Sequence, residues 1–242
     1  MEDLAQRLVS WIKERAEQAN CGGVVFGLSG GIDSAVVGVI CRRAFPKNSL
    51  GVMMPCHSSK QDLEDALAIA QQFAVPTVTV TLNEVFDCLL KALPDLKHDD
   101  KTKKLAEANL KPRLRMSTLY YLANRLNYLV VGTGNKSELS VGYFTKYGDG
   151  GVDIMPLANL LKRDVNELAR HLGIPKKIVE KAPSGGLWPG QTDEGEMGVT
   201  YKELDRYLAS GQATDKVRQK VDAMARASAH KRTLPATPPF CS

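Results

Sequence analysis

Gly27-Leu28-Ser29-Gly30-Gly31-Ile32-Asp33-Ser34 decides how the chain is read. The apolar run before it, Gly23-Val24-Val25-Phe26, has the length of a short buried strand, and Ala35-Val36-Val37-Gly38-Val39-Ile40 after it begins a buried helix. A glycine-rich turn between strand and helix gathers backbone N–H groups and the positive end of the helix dipole at one point, which suits an anion. Glycines at 30 and 31 let the backbone approach a phosphate chain, and Ser29 and Ser34 add hydroxyl donors. The common ATPase loop needs Lys followed by Ser or Thr after its last glycine, and a dinucleotide fold needs a third glycine; neither is present. Asp33 would repel a phosphate unless a divalent cation lay between them. The stretch therefore reads as a seat for Mg-pyrophosphate, the plainer alternative being a Ser/Gly turn with Asp33 as a helix cap.

Working outward, residues 2–19 carry Leu4, Leu8, Trp11 and Ile12 at helical spacing. Leu50-Gly51-Val52-Met53-Met54-Pro55 predicts a second strand, residues 58–73 a helix, Val75-Pro76-Thr77-Val78-Thr79-Val80 a third strand, and Tyr128-Leu129-Val130-Val131-Gly132-Thr133 a fourth. This alternation predicts an α/β fold: a doubly wound parallel sheet of about five strands with helices on both faces, its ligands at the carboxyl ends of the strands. Between the third and fourth strands the chain is helical except around Pro94–Lys101, where the mixed charges predict an exposed, mobile loop near 93–104. A second long loop, 181–198, is rich in glycine, with Leu187 and Trp188 as its apolar members; such a loop is a lid or a passive connection. Val199 to Ser228 returns to helical spacing, and Leu234-Pro235-Ala236-Thr237-Pro238-Pro239 should lie along the surface.

Two more polar stretches fall where such a sheet binds ligands. Gly132-Thr133-Gly134-Asn135-Lys136-Ser137-Glu138 follows the fourth strand. Glu138 sits at a helix start, where a carboxylate either complements the dipole or joins Asp33 on one cation. Tyr143-Phe144-Thr145-Lys146-Tyr147-Gly148-Asp149-Gly150-Gly151-Val152-Asp153 has too few aliphatics for core and reads as a binding loop for something flat and polar.

The loop at 29–34 resembles the Ser-Gly-Gly-x-Asp-Ser loop of the N-type ATP pyrophosphatase superfamily, which splits ATP between its α and β phosphates. Together with Lys-Pro-Arg-Leu-Arg-Met at 111–116, the 132–138 and 143–153 stretches, Leu-Lys-Arg at 161–163 and His-Lys-Arg at 230–232, nearly the whole chain is similar to the ammonia-dependent NAD synthetases. The resemblance implies an adenine nucleotide alpha hydrolase-like fold. It also implies ATP-dependent amidation of the nicotinate carboxylate of deamido-NAD through an acyl-adenylate, with release of pyrophosphate and AMP. Carried across by position, Asp33 and Glu138 look like ligands of Mg2+. Gly27, Leu28, Ser29, Gly30, Gly31, Ile32, Asp33, Ser34, Thr133, Lys162 and Ser184 look like ATP contacts, the family often having Thr at the place of Ser184. Arg113, Lys146, Asp153, His230 and Lys231 look like deamido-NAD contacts, with Asp33, Lys146 and Asp153 closest to the chemistry. Arg113 suits a phosphate or carboxylate, Lys146 can neutralise developing charge, and Asp153 can accept a hydrogen bond or take a proton from ammonium. The resemblance further implies a homodimer with sites at the interface, for which Leu105–Leu126, containing Arg113, is the candidate contact.

Composition agrees with a small-molecule enzyme. The 242 residues, 43% of them hydrophobic, fit a single synthetase domain (1–242) without a glutaminase domain, so free or delivered ammonia is the expected nitrogen source. No membrane span or signal segment is visible, and the scattered Cys21, Cys41, Cys56, Cys88 and Cys241 suit a reducing, cytoplasmic setting without disulfides or zinc. The net charge of +5 matches a polyanionic small molecule better than nucleic acid. The competing readings are a tRNA-modifying ATP pyrophosphatase of the lysidine synthetase or thiolase type, although no cysteine pair supports a thiolase, and a nucleotide-binding regulator without chemistry.

Overall fold

The computed structural model describes residues 1–94, 96, 99–188 and 190–239. Its helices and strands run, in order, α1 (Glu2–Gln18), β1 (Gly23–Gly27), α2 (Ile32–Ala44), β2 (Ser49–Met53), α3 (Lys60–Gln72), β3 (Thr77–Thr79), α4 (Asn83–Ala92), α5 (Asp100–Leu126), β4 (Tyr128–Val131), α6 (Lys136–Val141), α7 (Lys162–His171), α8 (Lys176–Val179), α9 (Asp193–Met197), α10 (Tyr201–Ser210) and α11 (Asp215–Ala227).

All pairings between these strands are parallel, in the order β3-β2-β1-β4. Val25 of β1 is in register with Leu50 of β2 on one side and Val130 of β4 on the other. The winding reverses beyond β1, so the turns leaving β1 and β4 flank the switch point at the carboxyl edge of the sheet.

Side-chain alternation along β1 feeds both faces. Val24 and Phe26 enter a core with residues of α1, α2, α3, α7 and α8, whereas Val25 packs with Val52, Phe86, Leu119 and Val130 beneath α4 and α5. Fully buried Phe26 alone contributes about 2–3 kcal/mol of apolar transfer. A smaller cluster, Val141, Met197, Val199, Tyr201, Leu204, Val217 and Val221, ties α6 to the C-terminal helices.

Among the described residues the parallel sheet has four strands, against an expectation of about five. The fifth position is a single parallel bridge between Val131 and Ile154, closed by Gly132 N–H to Ile154 O at 2.8 Å. Pro156 has no N–H to extend the ladder and Gly150-Gly151 precede it, so no longer strand forms there. Helix also reaches further into the expected 93–104 loop. Asp99 caps α5 by accepting from Thr102 N–H at 2.9 Å, which leaves 93–99 as the connection, with 95, 97 and 98 outside the described residues. Within 181–198, residues 193–197 form α9. Among the described residues no helix is long and apolar enough to cross a membrane.

Candidate active site

The turn after β1 is shaped by its own hydroxyls. Ser34 Oγ donates to Gly31 O at 2.9 Å, Ser29 Oγ lies 3.0 Å from Ser34 Oγ, and Gly31 N–H donates to Ser29 Oγ at 3.3 Å. Gly30 has φ +81°, and a Cβ there would stand 2.2 Å from the Asp62 carbonyl oxygen, so any side chain would be both strained and obstructed. Asp62 is itself fastened: Lys181 donates to Asp62 at 2.7 Å and to buried Asp65 at 2.8 Å, clamping the start of α3 to the chain beyond α8.

Asp33 lies in the first turn of α2, yet the helix has no side-chain cap bond. Its carboxylate instead reaches across the switch point. Asn135 Nδ2 donates to Asp33 Oδ1 at 2.9 Å, and Lys162 Nζ donates to Asp33 Oδ2 at 2.5 Å and to Glu138 Oε1 at 3.2 Å. Asn135 and Glu138 are joined in a capping box at the start of α6, fixing both side chains. Lys162 opens α7, whose first amides are held from outside the helix: Lys162 N–H donates to Ser137 Oγ at 3.0 Å and Arg163 N–H to Asp205 Oδ2 at 2.8 Å.

The arrangement is nearly sealed. The side chains of Lys162, Asp33 and Glu138 are 4%, 17% and 16% exposed. Burial pushes the Glu138 carboxyl upward, with Lys162 opposing and Asp33 adding to the rise. Burial also works against the Lys162 ammonium, but Asp33 and Glu138 outweigh it and raise its pKa. Beneath Lys162 lies the ring of Tyr201, 5.0 Å from Nζ to centroid. The Tyr201 hydroxyl donates to Asp193 Oδ2 at 2.9 Å and stands 3.3 Å from Glu138 Oε1.

Two carboxylates here share one ammonium, and both have oxygens within reach of a single Nζ, so the pocket keeps room in its charge balance for a further cation. Oxygen-only ligands suit Mg2+, which takes one or two carboxylates and completes its shell with phosphate and water. Among the described residues no trio of His, Cys, Asp or Glu forms an all-protein cage.

A second cluster gathers most of the expected substrate contacts. Lys146 Nζ donates to His230 O at 2.7 Å, Arg113 Nη2 to Lys146 O at 3.4 Å, and Lys231 Nζ to Phe144 O at 2.8 Å and Gly142 O at 2.9 Å. The backbone of His230 thus takes part, and the 230–231 pair belongs to a short 3-10 turn after α11. Burial lowers the Lys231 pKa, with nearby Asp149 opposing.

The remaining expected residues are more dispersed. Thr133 lies half-buried just beyond β4, two residues before Asn135 in sequence. Ser184 is exposed and accepts from Gly186 N–H at 3.1 Å. Asp153 stands apart from both clusters, its Oδ2 accepting from Val130 N–H at 2.8 Å and its Oδ1 from Tyr120 at 2.9 Å. The loop carrying Ser184 is tied to α5, where buried Lys111 donates to Leu187 O at 2.7 Å and Lys104 lies 4.7 Å over the Trp188 ring. Sequence reasoning missed Asn135, Tyr201 and Asp193. The Asn135/Glu138 pair was findable as an N-cap followed three residues later by Glu, whereas the other two are brought in by tertiary folding.

The chain was compared with known proteins. A family model described as NAD synthase matches residues 4–235. An NH(3)-dependent NAD(+) synthetase of Carboxydothermus hydrogenoformans is 51% identical over 237 residues, covering 98% of this chain and 97% of that protein. Among solved structures, an NMN synthetase from Francisella tularensis superposes with TM-score 0.93 at 38% identity, over 99% of this chain and 98% of the other. An NH3-dependent NAD synthetase from Campylobacter jejuni, in complex with nitrate, superposes with TM-score 0.80 at 28% identity, over 98% of each chain. Similarity of this extent, end to end and in both sequence and fold, means that the chain belongs to the NAD synthase family.

Proposed function

We propose that the carboxyl edge of the sheet holds MgATP between the 27–34 turn and Lys162, with the dinucleotide acid deamido-NAD held by the basic cluster beside it. As a family member the chain is a ligase that forms a C–N bond at the expense of ATP. A nicotinate carboxylate resists attack by ammonia until one oxygen becomes a leaving group. Attack of that oxygen on the α-phosphorus forms the acyl-adenylate and expels pyrophosphate. Ammonia then adds to the acyl carbon, AMP leaves with the bonding electrons, and a proton is lost to give the amide.

The single observation that carries this reading is the convergence of Asp33 and Glu138 on one ammonium beside a glycine-rich strand-to-helix turn. Those two carboxylates would hold Mg2+, which when bound supplies charge neutralisation for the departing pyrophosphate. Backbone amides of 27–34, the hydroxyls of Ser29, Ser34, Thr133 and Ser184, and Lys162 hold the triphosphate. Lys146, Arg113 and the 230–231 segment present positive charge to the acid substrate. Asp153 accepts two hydrogen bonds already, so we assign it a substrate contact and no proton-transfer step. Incubation with ATP, Mg2+, deamido-NAD and ammonium should yield AMP, pyrophosphate and NAD in equal amounts; no AMP at saturation would refute the reading. Glutamine should not replace ammonium, and equal turnover with it would refute ammonia as the direct nitrogen source.

The close superposition on a synthetase of NMN favours a second reading, in which nicotinate mononucleotide is the acid. The activating chemistry is the same, and comparing kcat/KM for the mononucleotide and the dinucleotide decides between them. We place the enzyme in the cytoplasm as a homodimer joined along α5, where Leu105, Tyr121 and Leu126 are exposed. A fully active monomer in sedimentation would exclude that assembly. Within the 181–198 loop, the stretch ahead of α9 serves as a lid over the acyl-adenylate, its opening measurable by proteolysis with and without ligands.

A further inference from the structure

Among the described residues, Asp193 is a buried carboxylate beside the site with an oxygen left unpartnered. It is 4% exposed, its Oδ2 accepts the Tyr201 hydroxyl, and among the described residues its buried Oδ1 has no partner at hydrogen-bond distance, the neighbouring Tyr143 hydroxyl being given to Glu196. Buried carboxylate oxygens are nearly always paired, so an unpaired one beside a binding site is open to a further donor. The donor able to use it is close by. Lys162 Nζ lies over the face of the same Tyr201 whose hydroxyl orients Asp193.

Lys162 needs such an acceptor because of what it now holds. Its ammonium occupies the oxygens of Asp33 and Glu138 that, on the reading above, belong to the divalent cation. Two carboxylates can balance more than one ammonium in charge, but an ammonium and a divalent cation on the same two oxygens would repel each other at contact distance. Lys carries three donors, so a phosphate oxygen can take one and leave another to place. Movement across the Tyr201 ring keeps the charge against a π face while it changes partners.

We propose that Asp193 is a second acceptor for the Lys162 ammonium: when Asp33 and Glu138 are given over to the metal, Lys162 turns to Asp193 Oδ1, and Tyr201 holds Asp193 ready for it. Asp193 and Tyr201 are then positioning residues that set how readily the carboxylate pair is released. The inference rests on the assignment of Mg2+ to Asp33 and Glu138, and the experiment separates the two.

Magnesium binding is measured by calorimetry in the presence of a non-hydrolysable ATP analogue for the native protein, D33N, D193N and Y201F. Exchanging the carboxylate for a neutral amide, which accepts a charged donor less strongly, should weaken magnesium binding about tenfold in D193N, and losing the hydroxyl that orients it about threefold in Y201F. Analogue affinity without magnesium should stay within about twofold, since neither side chain is assigned a nucleotide contact. In turnover, the KM for magnesium should rise while kcat at saturating magnesium holds, a split that general loosening of the fold would not give. Unchanged magnesium affinity in D193N and Y201F, or equal loss of metal and metal-free analogue binding, overturns the proposal. Unchanged affinity in D33N overturns the metal assignment instead. If D193N does not fold, Y201F, which keeps the ring under Lys162, decides by the same criteria.

Discussion

The two charged clusters at the sheet edge are built on opposite plans. In the first, Lys162 is held by carboxylates from α2 and α6, and every member is buried or nearly so. In the second, Lys146 and Lys231 donate to main-chain carbonyls, and among the described residues neither they nor Arg113 makes an ion pair. A carbonyl fixes the geometry of an ammonium without cancelling its charge. The first cluster therefore ends with surplus negative charge and suits a cation, while the second keeps its positive charge for an anion. One site is poised for exchange of its resident counter-charge; the other waits for a counter-charge it lacks.

Removing the lysine of each cluster should separate the plans most strongly. Lys162→Met leaves Asp33 and Glu138 facing each other without a cation, and should cost about 3–5 kcal/mol of stability in metal-free urea unfolding. Added Mg2+ should recover much of that loss. In the second cluster, Lys146→Met removes a charge that nothing else offsets, so stability should change by less than about 1 kcal/mol. Its effect belongs to binding: KM for deamido-NAD should rise about tenfold with KM for ATP within about twofold, since the side chain meets the loop and the 230 carbonyl rather than the ATP turn. Similar stability losses for the two variants, or equal rises in both KM values for Lys146→Met, would erase the contrast.

A smaller change sharpens the first plan. Asn135 donates to Asp33 and caps α6 in the same conformation. Asn135→Ala should cost about 1–2 kcal/mol through the lost cap and the loosened carboxylate, and should raise the magnesium requirement without touching deamido-NAD binding. A variant as stable as the native protein with unaltered magnesium dependence would show that the capping box does not hold the pair.

The unequal origins of the clusters explain what was readable beforehand. The strand-turn-helix at 23–40 declares itself because hydrophobic period, glycine placement and the Asp33 carboxylate all lie within eighteen consecutive residues. Asn135 and Glu138 are three apart on one helix start and equally local. Lys162, Tyr201 and Asp193 reach the same pocket from three later helices. Nothing in spacing ties Tyr201 to Glu138, 63 residues away, because packing of Val141, Val199, Leu204 and Val221 sets that meeting. The basic cluster was legible as a list of residues through family resemblance, but the use of backbone carbonyls as anchors has no sequence signature. Asp153 shows the same limit: its place in the binding loop was readable, but that its oxygens also fasten β4 and α5 was not. The exact strand count was likewise hidden, since a single bridge at Ile154 and a true strand share the same apolar residues.

The finest test of the contrast is the sign of a pH effect. Burial lowers the Lys231 pKa, whereas the carboxylates raise that of Lys162 against the same influence. A lysine with a lowered folded-state pKa binds its proton less tightly folded than unfolded, so its charge opposes folding at neutral pH. That cost is relieved as pH rises from the folded-state value towards about 10.4, the unfolded one. Lys162 runs the other way: its stabilising contribution is fully present below about 10.4 and is lost only above it. Between neutrality and pH 10, urea midpoints of the native protein should therefore gain on those of Lys231→Met, which has no proton to lose. The native curve should draw further above Lys162→Met over the same range, because the Glu138 carboxyl, pushed up by burial and Asp33, loses in that variant the lysine that opposes the rise and so costs stability as it ionises. Parallel native and Lys231→Met curves would mean that the carbonyls of Gly142 and Phe144 already compensate the buried ammonium, and the second cluster would have no uncompensated charge to offer a substrate.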